Sequence, residues 1–165
     1  DNQIGTALKI MEKAKAKGVN LHIPTDTVIA DKFSNDANLD ECEIDKIPDA
    51  WLGLDIGKKS IEQFEDVIVN SKTILWNGPM GVFEMSNFEK GTKAIAESVV
   101  EATKKGSYSL IGGGDSVAAI NKYNFGDDVS YVSTGGGAML EYLEGKQLPG
   151  IIAIKQKDGF RMRED

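Results

Sequence analysis

The sequence predicts an α/β fold, a doubly wound parallel sheet with helices on both faces. Three observations predict it. Strand-like and helix-like hydrophobic spacings alternate along the chain, the connections between them are short, and glycine gathers where strand-like segments end. Glycine makes up 18 of the 165 residues, about 11% against a usual ~7%. It concentrates at Asn77-Gly78-Pro79-Met80-Gly81, at Gly112-Gly113-Gly114 and at Gly135-Gly136-Gly137. No flexible spacer and no repeat of about 20–50 residues interrupts the chain, which reads as one continuous unit.

Taken in order, residues 6–17 carry Ala7, Leu8, Met11 and Ala14 on a helical period that stops at Gly18. Residues 19–23 read as a short strand stopped by Pro24, and residues 28–30 as another. Residues 33–49 are polar and acidic, a surface loop or a weak hairpin, and residues 51–56 read as a buried strand. Ile61, Phe64, Val67 and Ile68 mark a helix over 60–70. A strand over 73–76 runs into the first glycine cluster, and the longest helix follows over 88–105, stopped by Gly106. A strand over 108–111 enters the second cluster, with a helix from 116 to about 123 behind it. A strand over 130–132 enters the third cluster, followed by a helix over 138–144. In open parallel sheets ligands bind beyond the carboxyl ends of the strands. All three glycine clusters are expected at that end.

The composition narrows the function. Hydrophobic residues at 41% and charged residues at 27% fit a folded chain with its own core. Nineteen Lys and Arg against 26 Asp and Glu give a net charge of −7, which argues against a protein that grips a nucleic-acid backbone. Nucleotide binding stays open, because backbone N–H groups and magnesium hold phosphate on an acidic protein. No apolar run reaches the roughly 18 residues of a membrane span, and the first residues do not read as a signal peptide. The single cysteine, Cys42, has no disulfide partner and reads as cytosolic. The single histidine, His22, excludes zinc sites built on several histidines and is expected to be structural. The chain does not begin with Met and is expected to be a piece of a longer protein.

Three motifs carry chemistry. Gly112-Gly113-Gly114-Asp115-Ser116 follows a strand and opens a helix, so backbone can approach a ligand closely and present unpaired N–H groups to it. Asp115 is placed either to hold magnesium bridging two phosphates or to serve as a plain helix cap. Ser133-Thr134-Gly135-Gly136-Gly137-Ala138 repeats the arrangement one strand later, and two such loops side by side favour a polyanion site. Trp76-Asn77-Gly78-Pro79-Met80-Gly81-Val82-Phe83-Glu84 joins a strand end, a Gly-Pro turn and an apolar lip. Glu84 is positioned for ribose hydroxyls, and Phe83 is expected in the core. Other matches fail. The glycines of Gly53-Leu54-Asp55-Ile56-Gly57-Lys58-Lys59-Ser60 are one residue too close for a P-loop, and Val117 and Leu140 break a dinucleotide fingerprint. No nucleophile–base pair is evident, which leaves positioning and electrostatics, the requirements of phosphoryl transfer.

These motifs, in this order and spacing, resemble phosphoglycerate kinase. Ala30-Asp31-Lys32-Phe33, Trp51-Leu52-Gly53-Leu54-Asp55-Ile56-Gly57 and Leu143-Glu144-Gly145-Lys146-Gln147-Leu148-Pro149-Gly150 support the resemblance, which runs from Ile4 to Gly150. It implies two Rossmann-like domains in the whole protein. Residues 1–150 would be the later part of the carboxy-terminal, nucleotide-binding one, hence an incomplete domain, and residues 151–165 an extension or tail. The implied reaction passes a phosphoryl group between 1,3-bisphosphoglycerate and ADP, with magnesium, to give ATP and 3-phosphoglycerate in the cytoplasm. Position by position, the resemblance puts Gly53 against the adenine and Glu84 at the ribose. Asn77 and Pro79 would border the nucleotide. Gly112, Gly113, Gly114, Asp115 and Ser116 would lie at the phosphates, with Asp115 serving the metal. Gly135, Gly136 and Gly137 would aim a helix N-terminus at the phosphoryl group in transit. The implied partner is a missing amino-terminal domain that binds 3-phosphoglycerate, in a protein monomeric at full length. The chain by itself is expected to bind nucleotide weakly without turnover. The competing reading is a stand-alone nucleotide- or anion-binding module.

Overall fold

A computed structural model describes residues 2–161. Helix α1 (Asn2–Ala16) ends where Gly18 takes a left-handed φ of +66°, with Lys13 and Lys15 in its last turn facing the negative end of the helix dipole. Residues 19–23, expected as a strand, are instead irregular. Their alternating Val19, Leu21 and Ile23 are 46–56% exposed. Extended backbone becomes a strand only when a neighbour takes its hydrogen bonds, and no described strand pairs with this segment.

Strands β1 (Asp26–Ala30), β2 (Leu39–Glu43) and β3 (Leu52–Ile56) form a sheet of their own, ordered β2-β1-β3 and antiparallel throughout. The polar segment 33–49 is therefore a hairpin arm. The Asp31 carboxylate closes its turn by accepting hydrogen bonds from the Asn38 backbone N–H and side-chain amide at 3.0 and 2.6 Å. Residues 28–30 and 51–56, read from the sequence only as strands, thus lie outside the parallel sheet. No crossover helix separates them, and parallel pairing requires one.

Helix α2 (Lys58–Val69) starts at Gly57 without a capping side chain of its own. Asp26 supplies one from β1, accepting the N–H groups of Lys59 and Ser60, both at 2.8 Å, and the Ser60 hydroxyl at 2.5 Å. Burial alone would raise this carboxyl. The Ser60 hydroxyl, the two N–H groups and the Lys59 ammonium outweigh it and hold the group below its ordinary value. Asp26→Ala strips a buried helix end of its anion and should lower stability by roughly 2–3 kcal/mol, read as a fall in the urea midpoint.

The remaining elements are β4 (Thr73–Asn77), a 3-10 turn at Ser86–Phe88, α3 (Lys90–Lys104), β5 (Tyr108–Gly112), α4 (Gly114–Lys122), β6 (Tyr131–Val132), α5 (Gly136–Leu143) and α6 (Pro149–Arg161). Here the α/β expectation holds. Strands β4-β5-β6 pair in parallel and in sequence order, linked by α3 and α4. One sheet face, carrying Ile74, Trp76 and Ile111, packs on Ile95 and Val99 of α3 and on Ile120 of α4. On the other face, Leu75, Tyr108 and Tyr131 are exposed. Met139 of α5 reaches Gly112 on that side. The boundary at 150/151 at which the sequence predicts an extension to begin falls inside helix α6.

Candidate functional site

The parallel register aligns Asn77 with Gly112 and Ile111 with Val132, so the three strands end side by side. The bends that follow them touch. A Cβ built on Gly136 would lie 2.6 Å from the backbone nitrogen of Gly113 and 2.9 Å from its Cα. One built on Gly113 would collide with the Asn77 amide oxygen, and one on Gly112 with the Met139 side chain. Gly113 takes a φ of +86° and Gly78 a φ of +105°, both favouring glycine. Only glycine lets these backbones approach so closely.

Gly113 opens α4, and Gly114, Asp115 and Ser116 form its first turn. Asp115 is exposed, and among the described residues no cation lies within ion-pairing distance of it. Ser116 is fully buried, and its hydroxyl oxygen accepts the Gly78 N–H at 2.6 Å, tying the first glycine cluster to the second. Gly135 opens α5, whose first residues are Gly136 and Gly137, and its N–H reaches the Ser133 hydroxyl oxygen at 3.3 Å.

A cleft of about 330 Å³, whose lining includes none of residues 112–116 or 135–137, is walled by Gly53, Leu54 and Asp55 of β3 and by the lip Pro79, Met80, Gly81 and Val82. The lip is held from three directions. The Thr92 hydroxyl oxygen of α3 accepts the N–H groups of Met80 and Gly81, each at 3.1 Å. The Val82 N–H donates to the Leu54 carbonyl at 2.9 Å, and the Trp76 indole N–H to the Gly78 carbonyl at 2.7 Å. Phe83 lies in the core, as expected, and Glu84 is exposed just past the lip.

The expected residues thus fall into two groups joined by the turn at Gly78. Gly53 and Pro79 wall the cleft; Asn77, the glycines 112–114 and 135–137, Asp115 and Ser116 surround the strand ends. Glu84 belongs to neither set of contacts. His22 sits on the irregular segment with its Nδ1 3.2 Å from the Gln63 amide nitrogen, and Cys42 is half-buried on β2. Among the described residues, no group of three or more His, Cys, Asp or Glu is placed to hold a metal ion unaided. A lone exposed carboxylate at a helix N-terminus matches magnesium that arrives with a ligand's phosphates, since such ions take one or two protein carboxylates.

Sequence reasoning missed Thr92 and Asp55. Asp55 is 4% exposed and accepts the N–H groups of Gly91 at 2.8 Å and Ile56 at 2.9 Å. Burial pushes its carboxyl up to about 6, against those two N–H groups and the Lys90 ammonium. One signal was available. Gly91 interrupts a helical pattern, which marks a close approach, and a Cβ there would strike Asp55 and Ile56.

The comparisons with known proteins agree in one direction. The family described as Phosphoglycerate kinase matches residues 1–146. A Porphyromonas gingivalis protein named Phosphoglycerate kinase is 58% identical over 155 residues, covering 94% of this chain and 37% of the relative. The Arabidopsis thaliana protein named Phosphoglycerate kinase 3, cytosolic, is 53% identical over 156 residues, covering 94% and 39%. A solved phosphoglycerate kinase from Coxiella burnetii superposes with a TM-score of 0.89 at 41% identity, covering 95% of this chain and 40% of its own. The chain therefore spans under two-fifths of the length of these curated relatives. Among the described residues, no helix is long and apolar enough to cross a membrane.

Proposed function

The chain belongs to the phosphoglycerate kinase family, and from that membership we propose that it is the nucleotide-holding part of such an enzyme. The reaction passes a phosphoryl group between 1,3-bisphosphoglycerate and ADP to give 3-phosphoglycerate and ATP, a cytoplasmic step of glycolysis. Residues 1–150 form the later part of the nucleotide domain, and residues 151–165 are its extension. The observation that carries this reading is the backbone contact of Gly136 with Gly113, which sets two helix N-termini beside one another. Adjacent helix N-termini attract anions through their unpaired N–H groups and dipoles.

In this reading Gly53 and Pro79 flank the base, Glu84 accepts hydrogen bonds from the ribose, and Asn77 stands between ribose and phosphates. The glycines 112–114 border the phosphates. Ser116, fully buried, lies at the phosphate end of α4 and serves it by tying the Gly78 turn to that helix. Asp115 holds the magnesium that accompanies the nucleotide and offsets phosphate charge. Gly135, Gly136 and Gly137 present N–H groups to the phosphoryl in transit. The 3-phosphoglycerate partner site belongs to an amino-terminal domain, so the chain by itself binds Mg-ADP without turnover.

Two measurements test this. Calorimetric titration should detect Mg-ADP binding to the chain. In the full-length polypeptide, Asp115→Ala should lower kcat/KM by about 100-fold and raise the magnesium concentration needed for half-maximal rate. Mg-ADP binding without any turnover in the full-length protein would favour a binding module instead. Wild-type magnesium dependence in the variant would remove Asp115 from the metal site.

A further inference from the structure

We propose that Lys122 is a positioning residue that fixes Glu84 relative to Asp115. The inference deepens the nucleotide reading and rests on it. Lys122 ends α4, the helix whose first turn carries Asp115. Its ammonium donates to the Phe83 carbonyl oxygen at 2.5 Å and pairs with the Glu89 carboxylate at 2.6 Å. It also lies 5.9 Å from the centroids of the Phe83 and Tyr123 rings, an additional cation–π attraction. Lys58–Glu62, Lys93–Glu97 and Lys105–Glu101 run along a single helix, whereas Lys122, like Lys59–Glu43 and Lys104–Asp128, joins separate elements. Its contact with the Phe83 carbonyl spans 39 residues of sequence and grips backbone rather than a side chain.

The other end of α4 makes a matching tie, where Ser116 accepts the Gly78 N–H. Six residues separate 116 from 122, so the two ties stand about 9 Å apart along a rigid helix. Between them runs the segment carrying the lip, and Glu84 follows directly on the gripped carbonyl. The helix that presents Asp115 to phosphate therefore also dictates where the ribose-binding carboxylate stands. Releasing the Lys122 end frees Glu84 while the Ser116 end stays fixed.

The test uses the full-length polypeptide. Lys122→Met keeps the aliphatic stem and removes the donor. The KM for Mg-ADP should rise about tenfold, with kcat changed less than about twofold and the KM for 1,3-bisphosphoglycerate unmoved. Lys122→Arg, which retains a charged donor, should restore most of the loss. Lys122→Gln is measured in parallel, so a folding failure of one variant does not halt the comparison. Because Lys122 acts through Glu84, adding Lys122→Met to Glu84→Gln should raise the KM no further than Glu84→Gln alone. Additive effects, or a lowered thermal midpoint with an unchanged KM, would overturn the proposal and leave Lys122 a structural tie. If Glu84→Gln is effective while every Lys122 variant is silent, the positioning role alone falls. If Glu84→Gln is itself silent, the ribose assignment falls and takes this inference with it.

Discussion

Gly136→Ala is expected to lower kcat/KM of the full-length enzyme by about 100-fold or more. The added methyl would sit 2.6 Å from the Gly113 nitrogen and 2.9 Å from its Cα, and these are backbone atoms that cannot rotate aside. Either the β6–α5 bend retreats or the β5–α4 bend is displaced. Both movements separate N–H groups that, in the proposed reading, converge on one phosphate chain, and errors near 1 Å suffice for losses of this size. Overpacking should also lower stability by about 1–3 kcal/mol. Gly126→Ala is the control. Its methyl meets only the Asn121 side-chain oxygen at 3.7 Å, an ordinary contact, so rate and stability should stay near wild type. Equal kinetics for the two variants would show that the bends need not touch for the chemistry to proceed.

The second large effect concerns Asp55 and is one of stability. Its ordinary value is 3.8, and burial pushes it up to about 6 in the folded protein. The folded state therefore holds this proton more tightly than the unfolded state, and folding loses free energy as pH rises from about 4 to 6. The full titration is worth about 3 kcal/mol, of which about 2 kcal/mol falls between pH 4 and 6. Asp26 has the opposite sign, because its folded value is lowered. Its contribution is present above 3.8 and disappears as acid protonates it. Unfolding by urea at several pH values should separate the two. Asp55→Asn cannot titrate, so the stability difference between wild type and variant should shift by about 2 kcal/mol between pH 4 and 6.5. A constant difference across that range would mean that Asp55 is ionised throughout.

The legible part of the fold was the repeating strand–helix unit after residue 58, because each strand and helix there announces itself by local spacing. The hairpin was harder. Asp40, Glu41 and Glu43 line an edge strand with little burial, so its pattern resembles a loop until Asp26–Ala30 is seen to pair with it. Residues 19–23 misled in the other direction. Their apolar alternation is the pattern of a strand, yet strand formation depends on a partner that local spacing does not report. At the site, the glycines were visible because compositional clustering is local. Asp55, Thr92 and Lys122 were not. Their contacts reach Gly91, Met80 and Phe83, and residues that act on distant backbone carry no mark in their own neighbourhood.

Thr92 has a consequence for engineering. The curve of the lip is drawn by a hydroxyl on another helix that grasps amide hydrogens, so the side chains at Met80 and Val82 are not what bends it. Both side chains pack against the hydrophobic clusters, so exchanges there that conserve volume and apolar character should leave the main chain on its course. In the proposed reading this wall faces the base, and conservative libraries aimed at altered nucleobase preference belong there, on a frame that the hydroxyl holds.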